Sequence, residues 1–130
     1  EEVKLEGRLE FDELFDAVKK SELGLFPSTY EAFGISVVEA MGAGVIPVLN
    51  DIGAFRHFVT DGEEGFIADF SNKVAAAKSI KRARDLSKAA RKKMVKATRA
   101  RSTEYGWDAS VCRFEELYNG VISQWRNENG

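Results

Sequence analysis

The sequence predicts an α/β fold: a parallel sheet with flanking helices, followed by a helical C-terminal region. Three observations carry this. Leu23-Gly24-Leu25-Phe26 and Val45-Ile46-Pro47-Val48-Leu49 are unbroken apolar runs, helix-period patterns lie beside them, and beyond Asn72 the chain turns to Ala, Lys, Arg and Leu without strand signals. Strands covered on both faces read as continuous apolar runs, as in parallel sheets, and strand–helix–strand alternation is the pattern of βαβ units.

Taken in order, Val3-Lys4-Leu5-Glu6-Gly7 alternates apolar and polar residues, so a short half-buried strand is expected, ended by Gly7. Phe11, Leu14, Phe15 and Val18 repeat at i, i+3, i+4 and i+7, which defines an amphipathic helix with Asp12, Glu13, Asp16 and Lys19 on its wet face. Leu23 to Phe26 is expected as a strand covered on both faces and stopped by Pro27-Ser28. A loop then leads to Gly34 and a short helix carrying Val37, Val38 and Met41, ended by Gly42 and Gly44. In the strand at 45–49, Pro47 has no N–H for a ladder, so pairing is expected to be strongest after it, or the strand to lie near an edge. A helical turn at 55–60, a turn at 61–65 and a short strand Phe66-Ile67-Ala68 complete a βαβ core over residues 1–70.

Residues 71–130 form the helical region, broken at Tyr105-Gly106-Trp107. In the last helix Trp107, Val111, Phe114, Tyr118, Val121 and Trp125 step by 4, 3, 4, 3, 4 into one apolar stripe. Packing on its own domain is the expected use of that stripe, ahead of a brace toward a neighbour.

At 130 residues the chain fills one domain of roughly 100–200 residues. Its 44% hydrophobic and 31% charged content suits a globular core and excludes a disordered or fibrous class. The single cysteine, Cys112, cannot form an internal disulfide, and no Cys/His cluster has zinc spacing, so a reducing cytoplasm is expected. No basic-then-apolar leader opens the sequence, and its apolar runs fall far short of the ~20 residues that span a bilayer. The net charge of −2 hides an uneven distribution: residues 73–101 hold twelve Lys or Arg and one acid, Asp85. A solvated helix face is the first reading of that segment and an anionic partner the second.

Chemistry is expected beyond the carboxyl ends of the strands, where loops feed helix N-termini with unpaired N–H groups. Pro27-Ser28-Thr29-Tyr30-Glu31-Ala32-Phe33-Gly34-Ile35 occupies such a crossing. Gly34 lets the backbone approach a ligand, and the N–H groups around Phe33, Gly34 and Ile35 suit a phosphate. Glu31 precedes the helix and Glu39 lies some five residues inside it, roughly 7–8 Å along the axis at 1.5 Å per residue. Paired carboxylates so placed can each accept hydroxyls at different ends of an extended polyol phosphate. Spacing alone leaves a second reading open, in which Glu39 is a surface residue and Glu31 a favourable charge near a helix start.

Pro27-Ser28, then Glu31-Ala32-Phe33-Gly34-Ile35-Ser36-Val37-Val38-Glu39-Ala40-Met41, then Gly44 and Pro47-Val48, resembles the E-x7-E region of retaining GT-B glycosyltransferases, nearest to glycosyltransferase family 4, the group 1 glycosyltransferases. The likeness continues through Asn50-Asp51-Ile52-Gly53, Val59-Thr60-Asp61-Gly62, Gly65-Phe66-Ile67, Tyr105-Gly106-Trp107 and Phe114-Glu115-Glu116-Leu117-Tyr118. It implies a Rossmann-like parallel sheet and places the chain, 1–130, as part of a GT-B C-terminal domain, with the donor site in the first 70 residues. By resemblance Glu31, the first Glu of the motif, is the catalytic residue and contacts the donor sugar. Ala32, Phe33, Gly34 and Ile35, with Ser28, line the sugar and diphosphate, and Glu39 holds the ribose hydroxyls. The implied reaction transfers a sugar from a nucleotide-diphosphate sugar with retained anomeric configuration, through front-face attack that rests on electrostatic preorganisation. No metal or other cofactor is implied, and no Asp-x-Asp triplet occurs.

The family's domain normally opens with a strand and loop followed by an Arg and a Lys that clamp the diphosphate. Gly7-Arg8-Leu9 lies only about twenty residues before Pro27, too close for an intervening βαβ unit of ~30 or more residues. The basic clamp and the N-terminal acceptor-binding domain are therefore expected to be missing from this sequence. Where the family has an acidic residue, Phe55-Arg56-His57 offers His57, either a replacement contact or a structural histidine. Peripheral contact with an anionic membrane at the inner, cytoplasmic face is compatible with this reading. The alternative is a non-catalytic interaction module docking on anionic lipid or nucleic acid through residues 73–101. Nucleic acid is disfavoured, because that segment has no interleaved aromatics for stacking. A non-catalytic, phosphorylase-like or epimerase-like relative on the same architecture is a third reading. Cys112, Tyr118 and Trp125 are assigned to structure only.

Overall fold

The computed structural model describes residues 3–129. Helix α1 spans Phe11–Lys20, strand β1 Leu23–Phe26, α2 Ile35–Ala43 and β2 Ile46–Asn50. A 3₁₀ turn at Phe55–His57 precedes β3, Phe66–Ala68, and then come α3 Lys73–Arg84, α4 Lys88–Thr103 and α5 Trp107–Asn129. The sheet is parallel throughout, in the order β1-β2-β3, with Leu23 opposite Ile46 and Val48 opposite Phe66.

Strand β2 is buried along its whole length, and its alternating side chains supply two cores. Leu49 joins Val37 and Met41 of α2 and Phe55, Phe58 and Val59 on one face. Ile46 and Val48 join Phe66, Ala68, Ala83 and Met94 on the other, under α3 and α4. Full burial of side chains of this size contributes about 1.5–3 kcal/mol each. Helix starts follow local chemistry. The Asn72 side chain accepts from the N–H groups of Val74 and Ala75 at 3.1 Å, and Ser87 Oγ accepts from Ala90 N–H at 3.2 Å, so α3 and α4 are both side-chain capped.

Several expectations are corrected here. Residues 3–7 form no strand: no neighbouring strand pairs with them, and Val3 and Leu5 are 87% and 91% exposed. Among the described residues strand β1 has only β2 beside it, and it is not covered on both faces, since Leu25 is half exposed. Helix α1 forms as its period demands, yet buries none of its residues; Phe11, Leu14 and Phe15 border an open hollow against α2. Pro47 does not mark an edge, because β2 is the central strand. Its missing N–H is accommodated because pairing with β3 starts only at Val48, and side-chain-free Gly65 lies against the Pro47 ring. The stripe on α5 does not pack on its own domain. None of its residues is buried, and Trp107, Phe114, Tyr118 and Trp125 are 59–87% exposed; Trp107 and Phe114 border an open groove with Val38 of α2 and enter neither core. Among the described residues no helix is long and apolar enough to cross a membrane.

Candidate functional site

Parallel strands bring their carboxyl ends to one edge, so the loops leaving β1, β2 and β3 meet there. Asn50, the last residue of β2, laces all three together. Its Nδ2 donates to the Ser28 carbonyl at 3.0 Å in the loop after β1, and its Oδ1 accepts from Phe70 N–H at 3.1 Å in the loop after β3. Asn50 is only 9% exposed, so both bonds are sheltered from water. Held this way, Ser28 donates its hydroxyl to Glu31 Oε1 at 3.1 Å and orients a half-buried carboxylate on an otherwise irregular loop.

The loop turns into α2 through Gly34, whose φ of +97° is the left-handed conformation that favours glycine. The first helical N–H with a backbone acceptor is that of Val37, on Gly34 O at 3.0 Å. The earlier N–H groups of the first turn are those a helix leaves unsatisfied, at the positive end of its dipole. Gly34 has a second reason to lack a side chain. A Cβ there would meet Phe55 Cε1 at 3.0 Å and Phe58 Cε2 at 3.4 Å. On that side the bare backbone is covered by the core rings of Phe55 and Phe58.

Ala32, Phe33 and Ile35 are exposed beside this turn, and Glu39 projects from the exposed side of α2 one turn further in. Phe33, Ile35, Val38 and Glu39 line a groove of about 490 Å³ shared with Tyr105 and Phe114. Ala32 and Phe33 also border a smaller hollow of about 300 Å³ with His57, Phe58 and Tyr105. Glu39 faces, in addition, the apolar hollow of about 690 Å³ between α1 and α2. Glu31 lines none of these three and is instead paired with Ser28. The structure thus gathers Phe33, Ile35 and Glu39 at one groove, Ala32 and Phe33 at its neighbour, and Ser28 with Glu31 on the loop above.

Sequence reasoning assigned no role to Asn50 or Tyr105. Asn50 was visible as a polar residue ending an apolar strand. Tyr105 was visible as part of a helix break. Tyr105 packs edge-on to Phe33 and Phe58, with centroids 5.8 and 5.0 Å away, and its hydroxyl donates to the His57 carbonyl at 2.7 Å. The exposed His57 side chain borders the small hollow.

In the basic segment, arginines and lysines separate. Arg91 donates to the carbonyls of Ala83 and Arg84, and Arg99 to that of Ala43, each at the C-terminal end of a helix. Arg82 pairs with Asp61, and Arg101 with Glu104 and Glu64. The Glu104 hydrogen bond, followed by the charges of Glu104 and Glu64, holds the Arg101 guanidinium above its usual range. The lysines at 73, 78, 81, 88, 92, 93 and 96 are all exposed, as on a solvated face. After β3, the Ser71 hydroxyl and N–H hold the Asp69 carboxyl below the ordinary carboxylate range.

Comparison with known proteins gives the family. The family described as "Glycosyl transferases group 1" matches residues 1–101. A GDP-mannose:cellobiosyl-diphosphopolyprenol alpha-mannosyltransferase from Xanthomonas campestris is 34% identical over 101 residues, covering 78% of this chain and 27% of its own. A glycogen synthase from Geotalea daltonii is 30% identical over 112 residues, covering 80% of this chain and 23% of its own. The chain thus spans about a quarter of the length of the curated relatives it matches. Among solved structures, a sucrose-phosphate synthase from Thermosynechococcus elongatus superposes with a TM-score of 0.76 at 24% identity, over 91% of this chain and 30% of that one. The catalytic domain of starch synthase IV from Arabidopsis thaliana superposes with a TM-score of 0.62 at 22% identity, over 79% of this chain and 23% of that one. With its parallel α/β sheet of the GT-B type and a family match over most of its length, the chain belongs to the group 1 glycosyl transferases.

Proposed function

We propose that this chain is the nucleotide-sugar-binding portion of a retaining glycosyltransferase, one that moves a hexosyl group from a nucleotide-diphosphate donor to a glycan or lipid acceptor. One observation carries the reading. At the carboxyl edge of the sheet a single loop delivers Ser28-oriented Glu31, then left-handed Gly34, then the open first turn of α2, with Glu39 one turn further in.

The diphosphate is held by the first-turn N–H groups and the helix dipole. Glu39 accepts two ribose hydroxyls, while Glu31 faces the donor sugar beside the backbone of Ala32, Phe33, Gly34 and Ile35. Retention then rests on preorganised charge around an oxocarbenium-like state, and the leaving phosphate takes the acceptor proton. The reading invokes no metal. That one relative's name specifies GDP-mannose and a diphosphopolyprenol supports a nucleotide-sugar donor and a lipid-linked acceptor. Acceptor binding falls to a facing N-terminal domain, since the curated relatives are about four times longer than the matched part. The working location is the cytoplasmic side of a membrane, with the exposed lysines of α3 and α4 available to anionic lipid.

The test is titration of UDP, GDP and ADP into the labelled chain, followed by amide chemical shifts. Shifts at Gly34, Ile35 and Glu39 at millimolar nucleotide are the expected result. No shift there with any of the three overturns the donor-site assignment. For the enzyme carrying its acceptor domain, NMR of the product anomer distinguishes retention from inversion.

A further inference from the structure

We propose that Tyr105 is a positioning residue for the loop that carries Phe33 and Gly34, holding its backbone in one conformation from the far end of the sequence; the link to catalysis rests on the donor-site reading above. Between Glu31 and Val37 no hydrogen bond to another part of the fold among the described residues fixes this loop. Rings hold it instead. Phe33 is 46% exposed and packs edge-on to two aromatic neighbours, Phe58 at 5.2 Å and Tyr105 at 5.8 Å. Phe58 and Tyr105 are themselves edge-on at 5.0 Å, so the three rings close a triangle in which each interplanar angle lies between 68° and 87°. Edge-to-face packing is the favoured geometry of such pairs and orients rings as well as attracting them.

The far side of the triangle is firmly anchored. Phe58 is 1% exposed in the core beneath Gly34. Tyr105 sits in the turn that follows α4, where the N–H groups of Glu104, Tyr105 and Gly106 donate to the carbonyls of Arg101, Ser102 and Thr103. The C-terminal half of α4, which leads into that turn, is pinned to the body of the domain by the hydroxyl of buried Thr98 on the Glu64 carbonyl and by Arg101 on Glu64. The Tyr105 hydroxyl adds a bond to the His57 carbonyl at 2.7 Å, which fixes the ring's rotation. Phe33 and Tyr105 also form the shared wall between the groove that carries Glu39 and the hollow that carries His57. Without the Tyr105 ring, Phe33 keeps one aromatic contact, the wall opens, and the segment 32–35 is free to leave the conformation that presents its N–H groups.

The experiment compares wild type, Tyr105→Phe, Tyr105→Leu and, as a remote control, Met94→Ala in the opposite core. Backbone ¹⁵N relaxation at Phe33, Gly34 and Ile35 reads positioning directly, and GDP, UDP and ADP titrations read its effect on binding. In Tyr105→Leu the order parameters at 33–35 are expected to fall from rigid values near ~0.85 toward ~0.6. Nucleotide affinity falls about three- to tenfold, as loss of the Phe33–Tyr105 pair from the loop implies. Tyr105→Phe keeps the rings and restores both readouts to within about twofold of wild type, since it loses one exposed hydrogen bond. Met94→Ala lowers the melting temperature and leaves both readouts unchanged. Unchanged order parameters in Tyr105→Leu, or an equal loss of order in Met94→Ala, overturn the positioning role. If wild type binds no nucleotide while Tyr105→Leu still loosens 33–35, the donor-site reading fails and the positioning role stands.

Discussion

Gly65 lies so close against Pro47 that a β-carbon on it would sit 2.5 Å from the Pro47 carbonyl oxygen and 2.7 Å from Cγ of its ring. The central strand thus tolerates a proline because its neighbour enters the sheet without a side chain. Gly65→Ala is expected to destabilise the fold by about 1–3 kcal/mol, because backbone and a rigid ring must move together to admit one methyl group. Urea unfolding is the measurement, and a midpoint equal to wild type would contradict this account of the Pro47 site.

Asn50 makes a second prediction with a pH signature. Asn50→Ala leaves the Ser28 carbonyl and the Phe70 N–H without their sheltered partner, a loss of about 1–3 kcal/mol. Asn50→Asp is more informative. One carboxylate oxygen still accepts from Phe70, but the other faces the Ser28 carbonyl, and both this repulsion and burial raise the folded-state pKa of the new acid. Stability relative to wild type is then lowest at neutral pH and rises as pH falls through that raised value, where the protonated acid donates to Ser28. A relative stability that stays flat with acidification would refute the proposed lacing of the loops.

For Asp69 the sign is opposite. Its carboxyl is held low, first by the Ser71 hydroxyl at 2.6 Å and then by the Ser71 N–H at 2.9 Å. Its contribution is therefore present above the unfolded-chain value and is lost as pH falls through the depressed folded value. Ser71→Ala should move the Asp69 midpoint up toward the ordinary range, as followed by carboxyl ¹³C NMR, and an unmoved midpoint would assign the depression elsewhere.

Ser28→Ala tests how Glu31 is held. Removal of the 3.1 Å hydroxyl contact leaves the Glu31 side chain free to rotate. With intact enzyme the expected outcome is a fall in kcat of about three- to tenfold, the range of a typical net hydrogen bond. Nucleotide affinity should be unchanged. Equal loss of affinity and kcat would instead place Ser28 on the diphosphate.

Strand β2 was legible because a buried parallel strand declares itself locally, at Val48 and Leu49, by apolar residues on both faces. The grouping of the candidate site's Glu31, Gly34 and Glu39 is also local, since they lie within nine consecutive residues. What a local pattern cannot carry is the partner. Val3 and Leu5 alternate like a strand, yet a strand exists only where another chain segment supplies its hydrogen bonds. The α5 stripe shows a face by its period and says nothing of what covers it. Phe33, Phe58 and Tyr105 meet only after the sheet and α4 have folded, so their triangle is invisible to any window of sequence. Asn50 is similar: its ending of β2 is local, while its two bonds reach loops far away in the chain.

Helix α5 runs for 23 residues without burying one of them. Its helicity therefore draws on local propensity and side-chain neighbours along its own surface, a marginal source in water, whereas β2 and its flanking helices stand or fall together. On heating, circular dichroism should record a gradual early loss of signal from the tail, followed by a sharper collapse of the remainder. Calorimetric and van 't Hoff enthalpies derived from one fitted transition would then disagree, and the mismatch would measure how independently the tail unravels.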